Sequence, residues 1–516
     1  MLYEETALRK TLSNKKIIIF VWRLFQREFP AHVAKIANTA LEQGGEVTLV
    51  VAENRTEPYK MQFNSRQFLT SIEQTYKVNT IVVPPYAQPL ASDLESVDQI
   101  QGLSDVLELD AELYLSVLSA FLTSNLITLN SRKLRSQDLV YLKDFVLDYF
   151  SAKSVARNLI IPNAYDLAIV LNGRHPSSVA TKQVAIGKDL QVMYLERGFK
   201  HGDGRLFLQA FQTHDVRKMS EHFKSIAATL SMEELNHAKQ WSSSWLVNQA
   251  SDKQTNRFLV DNSKSRSLHL DEISKVVPIF TSSIDERFSN LGVDLNGWDS
   301  QAKAISLVSS RLMKLGYQPI IRIHPNALWK SWRELIELVK EFRSCDLSYI
   351  LPWEKVSSYH LLDNASHVVT WGSTLALEAS ARGIPVTNLS KSRYDDLADV
   401  KLLSGADLRV WTPENFIKPD SDKSLLAVYL TRQYGVRNDL VSWCEQFRMQ
   451  RAKKNYLNRF NLLTIHTYKI LYFIKSPMQS SPSNIYFAII KLLGEKAGGA
   501  LMKFVLFCLI VKHDNE

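Results

Sequence analysis

Cysteine is scarce in this chain, and common metal-binding and phosphate-binding motifs are missing. The 516 residues include three cysteines, Cys345, Cys444 and Cys508, which are far apart and form no C-x-x-C pair. This spacing excludes a disulfide framework and a zinc ribbon, and it fits a reducing compartment. The sequence has no H-E-x-x-H and no Walker loop, so neither zinc-protease nor P-loop chemistry is indicated. We expect no bound metal and no cofactor.

The N-terminus lacks the pattern of a secretory signal. Its first ten residues include Glu4 and Glu5, where a signal peptide is basic. The first apolar run, residues 17–22, is too short for the hydrophobic region of such a signal. We therefore expect the protein in the cytoplasm.

Length, composition and charge limit the classes of protein that fit. The length predicts about two to four domains, and 45% hydrophobic with 22% charged residues is typical of folded protein. The net charge of +9 favours an anionic partner such as nucleic acid, acidic lipid or a phosphorylated substrate, although a merely basic soluble protein also fits. Because basic residues are spread along the chain without interleaved aromatics, we expect no nucleic-acid binding.

Two α/β domains followed by a helical end are predicted. Residues 1–265 begin with two apolar runs around a helical segment, a β-α-β pattern, and continue with large helical insertions. The polar stretch 243–270 connects this region to residues 275–430. There, five apolar runs alternate with four helical segments, which predicts a parallel, Rossmann-like sheet with right-handed crossovers.

Residues 431–516 are predicted to form a basic helical extension. It ends in an apolar segment, residues 485–511, that is interrupted by charged side chains such as Lys491 and Glu495. A spanning helix needs about 20 mostly apolar residues, whereas a helix in the plane of the membrane surface needs an apolar and a basic face. We expect in-plane attachment to an anionic membrane, with a core or oligomer helix and a spanning helix as alternatives.

Polar clusters follow three predicted strands of residues 275–430. Ligands of an open parallel sheet bind beyond the carboxyl ends of its strands. A glycine permits close approach of the backbone, and hydroxyl and N–H groups at a helix start face an anion. Taken alone, Gly372-Ser373-Thr374 is typical of a helix cap, His324-Pro325 of a turn, and Glu378 of a solvated helix residue. Together they predict a nucleotide-sugar site formed by Thr281, Ser282, Ser283, Arg322, His324, Asn326, Gly372, Ser373, Thr374 and Glu378.

Two stretches carry a resemblance to a known family. IRIHPN followed by TWGSTLALEASARGIPV resembles the donor half of the bacterial capsule-polysaccharide transferase superfamily, which includes β-Kdo transferases and, more distantly, bacterial sialyltransferases. FTSSIDERF and SRYDDL resemble segments beside these motifs, and LNGRHPSS with YLERG resembles an N-G-R…E-x-G pattern. The resemblance covers roughly residues 165–400.

The resemblance implies a GT-B-like fold, in which two Rossmann-like domains face a cleft, and a metal-independent glycosyltransferase. His324, Ser373 and Thr374 would contact the donor phosphate, and Glu378 the ribose. A CMP-sugar is the first donor to test, with a surface or capsular polysaccharide or its lipid-linked precursor as acceptor. The enzyme would then lie peripherally on the inner face of the cell membrane.

The first domain supplies candidates for the acceptor side. Glu196 and Asp203, at and after the end of a predicted strand, are candidates for the general base, which must reach the acceptor hydroxyl. Alternatively, Glu196 pairs with Arg174 or Arg197 and only holds the cleft together. Asn172, Gly173 and Arg174, at another strand end, are expected to face the same cleft.

Two short motifs are interpreted as structural. His175-Pro176 is predicted to begin a helix, and Asp420-Ser421-Asp422 to form a solvated turn rather than a metal site. Two other functions stay open from the sequence. One is transfer of a polyol phosphate from a CDP-glycerol-type donor, and the other is a non-catalytic scaffold of a membrane polysaccharide assembly.

Overall fold

The computed structural model describes most of the chain in separate ranges. They are residues 2–22, 29–52, 65–84, 89–123, 134, 136–198, 204–249, 275–282, 295–325, 327, 332–354, 356–413, 418–445, 502–503 and 505–506.

Helices and strands alternate along these ranges. The strands are β1 (Lys16–Val21), β2 (Glu46–Ala52), β3 (Asn79–Val83), β4 (Leu167–Leu171), β5 (Gln191–Arg197), β6 (Arg205–Gln209), β7 (Val276–Phe280), β8 (Gln318–Arg322), β9 (Tyr349–Ile350), β10 (Val368–Thr370), β11 (Val386–Asn388), β12 (Lys401–Leu402) and β13 (Val436–Arg437). The helices are α1 (Leu2–Leu12), α2 (Phe29–Glu42), α3 (Ser65–Tyr76), α4 (Ala91–Gln99), α5 (Leu103–Leu109), α6 (Ala111–Thr123), α7 (Ser136–Leu159), α8 (Pro176–Ile186), α9 (Val216–Thr229), α10 (Met232–Gln249), α11 (Gln301–Lys314), α12 (Trp332–Ser344), α13 (Ser358–Asp363), α14 (Leu375–Ala381), α15 (Ser421–Gln433) and α16 (Val441–Glu445).

The first sheet has the strand order β13-β6-β5-β4-β1-β2-β3. Strands β1 to β5 pair in parallel, whereas β6 runs antiparallel to β5 and β13 antiparallel to β6. The central strand β1 is buried from Ile17 to Val21, as expected for a parallel strand that is covered on both faces. The β-α-β start predicted from the sequence is confirmed.

The second sheet is parallel throughout, with the order β12-β11-β10-β7-β8-β9. Successive residues of a strand point to opposite faces, and β7 shows this: Val277 and Ile279 pack among residues of α11 and α12, whereas Val276 and Phe280 pack among residues of α13 and α14. All five predicted strands and four predicted helices of this domain are present. The GT-B-like fold class, with two Rossmann-like sheets, is confirmed.

Helices α9 and α10 pack against the second domain, although they fall within residues 1–265, the predicted first domain. Met219 and Phe223 of α9 are buried in one cluster with Phe280 and Tyr434, and Trp241 and Trp245 of α10 pack against the same cluster. The aromatic face of this pair therefore covers the second sheet. The predicted boundary at residue 265 therefore assigns these helices to the first domain, although their apolar side chains are buried in the core of the second.

The chain returns to the first sheet near residue 436, which corrects the prediction that residues 431–516 form a separate extension. Arg205 on β6 is buried, and its guanidinium donates to the carbonyls of Gln433 and Gly435, each at 2.9 Å. Gly435 has φ +109°, and a Cβ there would lie 2.8 Å from the carbonyl of Leu206. Glycine is therefore required where the chain crosses back onto β6.

Four residues of the predicted membrane segment 485–511 lie within the described ranges. Met502 and Leu506 are buried against the second-domain core, and Lys503 forms a 2.7 Å ion pair with Glu354. At these positions the apolar side chains contact protein, as in the core-helix alternative. No helix in the described ranges combines the length and hydrophobicity of a transmembrane span.

Candidate functional site

The carboxyl ends of β7 and β8 are joined by a hydrogen bond between two predicted site residues. The main-chain N–H of His324 donates to Oγ1 of Thr281 at 2.8 Å. Thr281 is buried and the His324 side chain is half-buried. Gln301, the first residue of α11, accepts from the N–H of Ser282 at 2.7 Å and donates to its carbonyl at 3.1 Å. The end of β7 is thus hydrogen-bonded both to the end of β8 and to the start of α11.

Arg322 is committed to the main chain of its own domain. Its guanidinium donates to the carbonyl of Leu351 at 2.5 Å and to that of Glu354 at 3.2 Å, and the side chain is buried. Burial lowers the pKa of Arg322 to about 10, partly offset by the charge of Glu354. The predicted contact of Arg322 with a nucleotide-sugar would require its guanidinium to leave these carbonyls.

The loop that follows β10 contains Gly372, Ser373 and Thr374 of the predicted donor site. Gly372 has φ +63°, a conformation that favours glycine. The N–H of Ser373 donates to Oγ1 of Thr370 at 3.2 Å, and the carbonyl of Ser373 accepts from the hydroxyl of Tyr394 at 2.6 Å. Thr374 occupies the N-cap position of α14 without a side-chain capping hydrogen bond, and it is half-buried. Because β10 and β8 both pair with β7, this loop and His324 lie at the same edge of the sheet.

Glu378 lies one turn further into α14 and is buried. Its Oε2 accepts from the hydroxyl of Tyr359 at 2.8 Å, and its Oε1 lies 3.6 Å from the guanidinium of Arg432. Burial raises the pKa of Glu378, and Arg432 is the largest opposing influence. A ribose bound by Glu378, as the resemblance implies, would have to replace one of these partners.

Glu196 and Asn172 come together at the carboxyl ends of β4 and β5. The side-chain amide of Asn172 donates to Oε2 of Glu196 at 2.5 Å, and the N–H of Arg197 donates to Oε1 at 3.0 Å. Arg174 donates to Oδ1 of Asn172 at 3.0 Å. Burial raises the pKa of Glu196, and the Arg197 N–H opposes this shift together with the charges of Arg174, Arg197 and Arg393. The side chain is thus a buried carboxylate held beside arginines.

The turn after β4 is strained in a way that positions these groups. Asn172 has φ +58° and Gly173 φ +75°, in the left-handed region that is costly for most residues other than glycine. A Cβ on Gly173 would lie 2.5 Å from the ring of Tyr194. Gln212 holds this turn by donating to the carbonyl of Gly173 at 2.8 Å. The predicted cleft residues Asn172, Gly173 and Arg174 therefore lie together.

Arg393 and His214 were not predicted from the sequence. Arg393 follows β11 in the second domain, yet its charge lowers the pKa values of Glu196 and His214 in the first. Burial lowers the pKa of His214 well below its usual value, and the charges of Arg174, Arg393, Arg197 and His175 lower it further. The carboxyl edges of the two sheets are therefore within electrostatic reach of each other. The only sequence signal for Arg393 was its place in SRYDDL.

Some predictions fall outside the described ranges, and of two structural interpretations one is confirmed and one is corrected. Asp203, Ser283 and Asn326 are among the residues outside the description. His175 occupies the N-cap position of α8, which begins at Pro176 as predicted. Asp420-Ser421-Asp422, predicted as a turn, instead begins helix α15: Asp420 is its N-cap and accepts from the N–H groups of Asp422 and Lys423. Within the described ranges, no group of three or more acidic, histidine or cysteine side chains is arranged to hold a metal ion.

Comparisons with known proteins give distant structural similarities only. No protein-family model matches the chain, and no curated protein matches it significantly. Two enzymes from Thermosulfurimonas dismutans are among the similar solved structures. The KpsC β-Kdo 2,4 transferase has 14% identity, a TM-score of 0.35 and coverage of 52% of this chain and 80% of its own. The KpsC β-Kdo 2,7 transferase has 15% identity, a TM-score of 0.33 and coverage of 54% and 79%.

A third similar structure covers more of the chain with a lower score. It is UDP-GlcNAc 2-epimerase from Neisseria meningitidis bound to UDP-GlcNAc, with 12% identity, a TM-score of 0.24 and coverage of 84% of this chain and 98% of its own. At such scores and identities, none of these similarities supports an inference about the activity of this chain.

Proposed function

We propose that this chain is a metal-independent glycosyltransferase of the GT-B type, which moves a sugar from a nucleotide-sugar to a surface polysaccharide or its lipid-linked precursor. The observation that carries the proposal is the approach of the two sheet edges, since Arg393 after β11 acts on Glu196 at the end of β5. We therefore expect polar groups from both domains to line one crevice, since open α/β sheets bind ligands at the carboxyl ends of their strands.

The two sides of this crevice suit the two substrates of such a transfer. On the second domain, we expect the hydroxyls of Ser373 and Thr374 and the imidazole of His324 to meet the phosphate of a donor. On the first domain, Glu196, Asn172 and Arg174 form a polar cluster for the acceptor. In the transfer, the acceptor oxygen bonds to the anomeric carbon, the bond from that carbon to the phosphate oxygen breaks, and the phosphate keeps the electron pair.

A base must take the proton of the acceptor hydroxyl, and we assign this role to Glu196, with Asp203 as the alternative. Burial raises the pKa of Glu196, which brings a carboxylate closer to the range where proton transfer at neutral pH is efficient. Oε2 of Glu196 accepts a hydrogen bond from the side-chain amide of Asn172, and Oε1 accepts one from the main-chain N–H of Arg197. These bonds orient the carboxylate. The hydroxyl of a bound acceptor would donate to one of the two oxygens, in addition to the hydrogen bond that this oxygen already accepts.

Nucleotide binding is the experiment that tests the proposal. CMP, CDP, UDP, GDP and ADP are titrated into the full-length protein with and without Mg²⁺, and CMP is the first expected ligand. We expect binding of one nucleotide without Mg²⁺ and loss of about tenfold or more in affinity for His324→Ala, because a charge-assisted contact to phosphate is lost. His237→Ala, at an exposed position on α10, is the matched control. The absence of any nucleotide binding would refute the proposal and favour a scaffold.

We propose that the basic residues near position 450 attach the protein to the anionic inner face of the cell membrane. Arg448, Arg451, Lys453 and Lys454 fall within seven residues of sequence, and each basic group near an anionic surface contributes about 1 kcal/mol. Changing all four to serine is expected to reduce sedimentation with phosphatidylglycerol vesicles without altering the buried contacts of Met502 and Leu506. Equal sedimentation of this variant and the natural sequence would contradict the attachment.

A further inference from the structure

Buried hydrogen bonds support the loop that carries Ser373. The main-chain N–H of Ser373 donates to Oγ1 of Thr370 at 3.2 Å, and the hydroxyl of Thr370 donates to Oδ1 of Asn388 at 2.5 Å. The side-chain amide of Asn388 then donates to Oδ1 of Asp395 at 3.2 Å. Thr370 and Asn388 are fully buried and are register partners in the parallel strands β10 and β11. Three consecutive hydrogen bonds therefore lead from Ser373 to Asp395, and we call Thr370, Asn388 and Asp395 the support network.

Asp395 sets the direction of these hydrogen bonds. An ionised carboxylate only accepts, and that of Asp395 also accepts from the N–H of Ser392 at 2.7 Å and from its hydroxyl. The amide nitrogen of Asn388 must face this carboxylate, so the amide oxygen faces Thr370. The single hydroxyl proton of Thr370 goes to that oxygen, which leaves the oxygen of Thr370 to accept from Ser373. Because successive hydrogen bonds polarise one another and the last one is charge-assisted, the carboxylate strengthens the whole series.

The support network determines which group of Ser373 is left for a ligand. The N–H of Ser373 is bonded to Thr370, and its carbonyl accepts from the hydroxyl of Tyr394 at 2.6 Å. The oxygen of its own hydroxyl accepts from the N–H of Leu375 at 3.3 Å. Since none of these bonds uses the hydroxyl proton of Ser373, we expect that proton to be donated to an anion.

We propose that Thr370, Asn388 and Asp395 are positioning residues of the donor site, which hold Ser373 so that its hydroxyl donates to the phosphate of the nucleotide. The proposal rests on the proposed function, because it specifies how that site recognises a phosphate. Thr370 and Asn388 act through Ser373 rather than by contact, since both are fully buried. Asp395 acts through Asn388 from the loop after β11. The affinity for phosphate therefore depends on side chains that do not touch it.

The test measures what the phosphate contributes to binding. The nucleotide that binds the full-length protein best and the nucleoside without its phosphate are titrated by calorimetry, and the ratio of their affinities is compared between variants. We expect a ratio of about tenfold or more for the natural sequence, because hydrogen bonds to an ionised group are strong. If the nucleoside binds too weakly to titrate, the affinity for the nucleotide is compared instead.

Thr370 offers a matched set of variants. Thr370→Val keeps the shape of the side chain without its hydroxyl and is expected to lower the ratio about fivefold or more. Thr370→Ser keeps the hydroxyl and is expected to preserve most of the ratio. Thr387→Val is the control, because Thr387 is equally buried on β11 and its hydroxyl bonds to His367 at 2.9 Å, outside the support network. We expect this control to leave the ratio unchanged.

Asp395→Asn tests the far end of the support network. The new amide nitrogen would face either the amide of Asn388 or the N–H of Ser392, so one donor would oppose another, and we expect the ratio to fall as in Thr370→Val. Asp396→Asn, at the exposed next position, removes the same charge and is expected to leave the ratio unchanged. Melting curves show whether each variant is folded at the temperature of titration. If Asp395→Asn does not fold, the comparison of Thr370→Val with Thr370→Ser decides.

Three results would overturn the positioning role. The first is an unchanged ratio in Thr370→Val or in folded Asp395→Asn, since each variant breaks the series of hydrogen bonds. The second is a ratio as low in Thr370→Ser as in Thr370→Val, and the third is an equal fall in either control. The proposed function fails separately. If the natural sequence binds no nucleotide, the transferase proposal is refuted, whereas nucleotide binding with unchanged ratios in the variants removes only the positioning role.

Discussion

Glu378 shows how one side chain can be identified as important while its partners stay hidden. The sequence placed it one turn into a helix after Gly372-Ser373-Thr374, where a carboxylate can meet a ribose. In the structure it is buried between Tyr359 and Arg432. Both partners are distant in sequence, on α13 and α15, so no local pattern reveals them. The position along the chain could be predicted, but the direction of the side chain depends on tertiary packing.

The Glu378 arrangement predicts a cost in stability. Glu378→Ala leaves Arg432, which is 18% exposed, without its carboxylate, and removing one partner of a buried pair costs about 3 kcal/mol or more. Urea denaturation of the purified protein measures this difference in the free energy of unfolding. The control is Asp363→Ala, which removes an exposed partner of Arg382 and is expected to cost less than about 1 kcal/mol. A loss of nucleotide affinity with unchanged stability would instead restore the ribose role.

His367 predicts a dependence of stability on pH. It is buried at β10, and burial lowers its pKa from 6.5 to about 3. The unfolded chain therefore takes up a proton below pH 6.5 that the folded chain does not, and stability falls as the pH drops from 6.5 toward 3. The slope contributed by one such group is at most about 1.4 kcal/mol per pH unit. His32 in the first domain has the same shift and adds to the slope.

Unfolding by urea at several pH values between 7 and 4 measures this effect. His367→Gln is expected to be less stable at pH 7, because buried contacts are lost, yet to lose stability less steeply on acidification. The exposed His237→Gln is expected to keep the original slope. An unchanged slope in His367→Gln would show that His367 does not control the acid sensitivity.

At the scale of elements, the second domain was the most predictable part. Its strands are short runs of buried apolar residues between amphipathic helices, so local pattern and tertiary structure agree, as for residues 301–314 in α11. The first domain was less predictable because its seventh strand, β13, comes from residues 436–437, more than 200 positions after β6. A two-residue strand at a distant site has no periodicity to detect. The clustering of Asn172 with Glu196 likewise depends on β4 and β5 pairing, which the sequence analysis did not order.

The hydroxyl of Tyr394 is expected to position the loop after β10 for nucleotide binding. Tyr394 donates to the carbonyl of Ser373 at 2.6 Å, so the segment 372–374 is held by a residue of another loop. Tyr394→Phe keeps the ring and removes this bond, which is worth about 1 kcal/mol. We expect a roughly fivefold weaker affinity for the nucleotide and a small decrease in melting temperature. Tyr429→Phe, with its ring on α15 against Trp241, is the control, and equal affinities in both variants would show that the loop is positioned without Tyr394.

At the scale of the whole molecule, the chain exchanges elements between its two domains. Helices α9 and α10 follow β6 of the first sheet but cover the second. Strand β13 and helix α16 follow α15 of the second domain but complete the first. Each domain therefore buries apolar surface contributed from beyond its sequence boundary. This exchange ties the two domains together, as the proposed site with Arg393 on one domain and Glu196 on the other requires.

The exchange of elements predicts which fragment of the chain folds as an independent second domain. A fragment of residues 275–430 lacks α9 and α10, so Phe280 and the other apolar residues of their shared cluster lose the cover of Met219, Phe223 and Trp241. A fragment of residues 214–435 retains that cover. We expect the longer fragment to melt cooperatively and the shorter one to bind the dye ANS and to melt at a lower temperature, because exposed apolar surface is unfavourable. Circular dichroism and dye fluorescence measure both. If the two fragments melt at the same temperature without dye binding, the two helices are not part of the second domain's core, and its natural boundary lies near residue 275 after all.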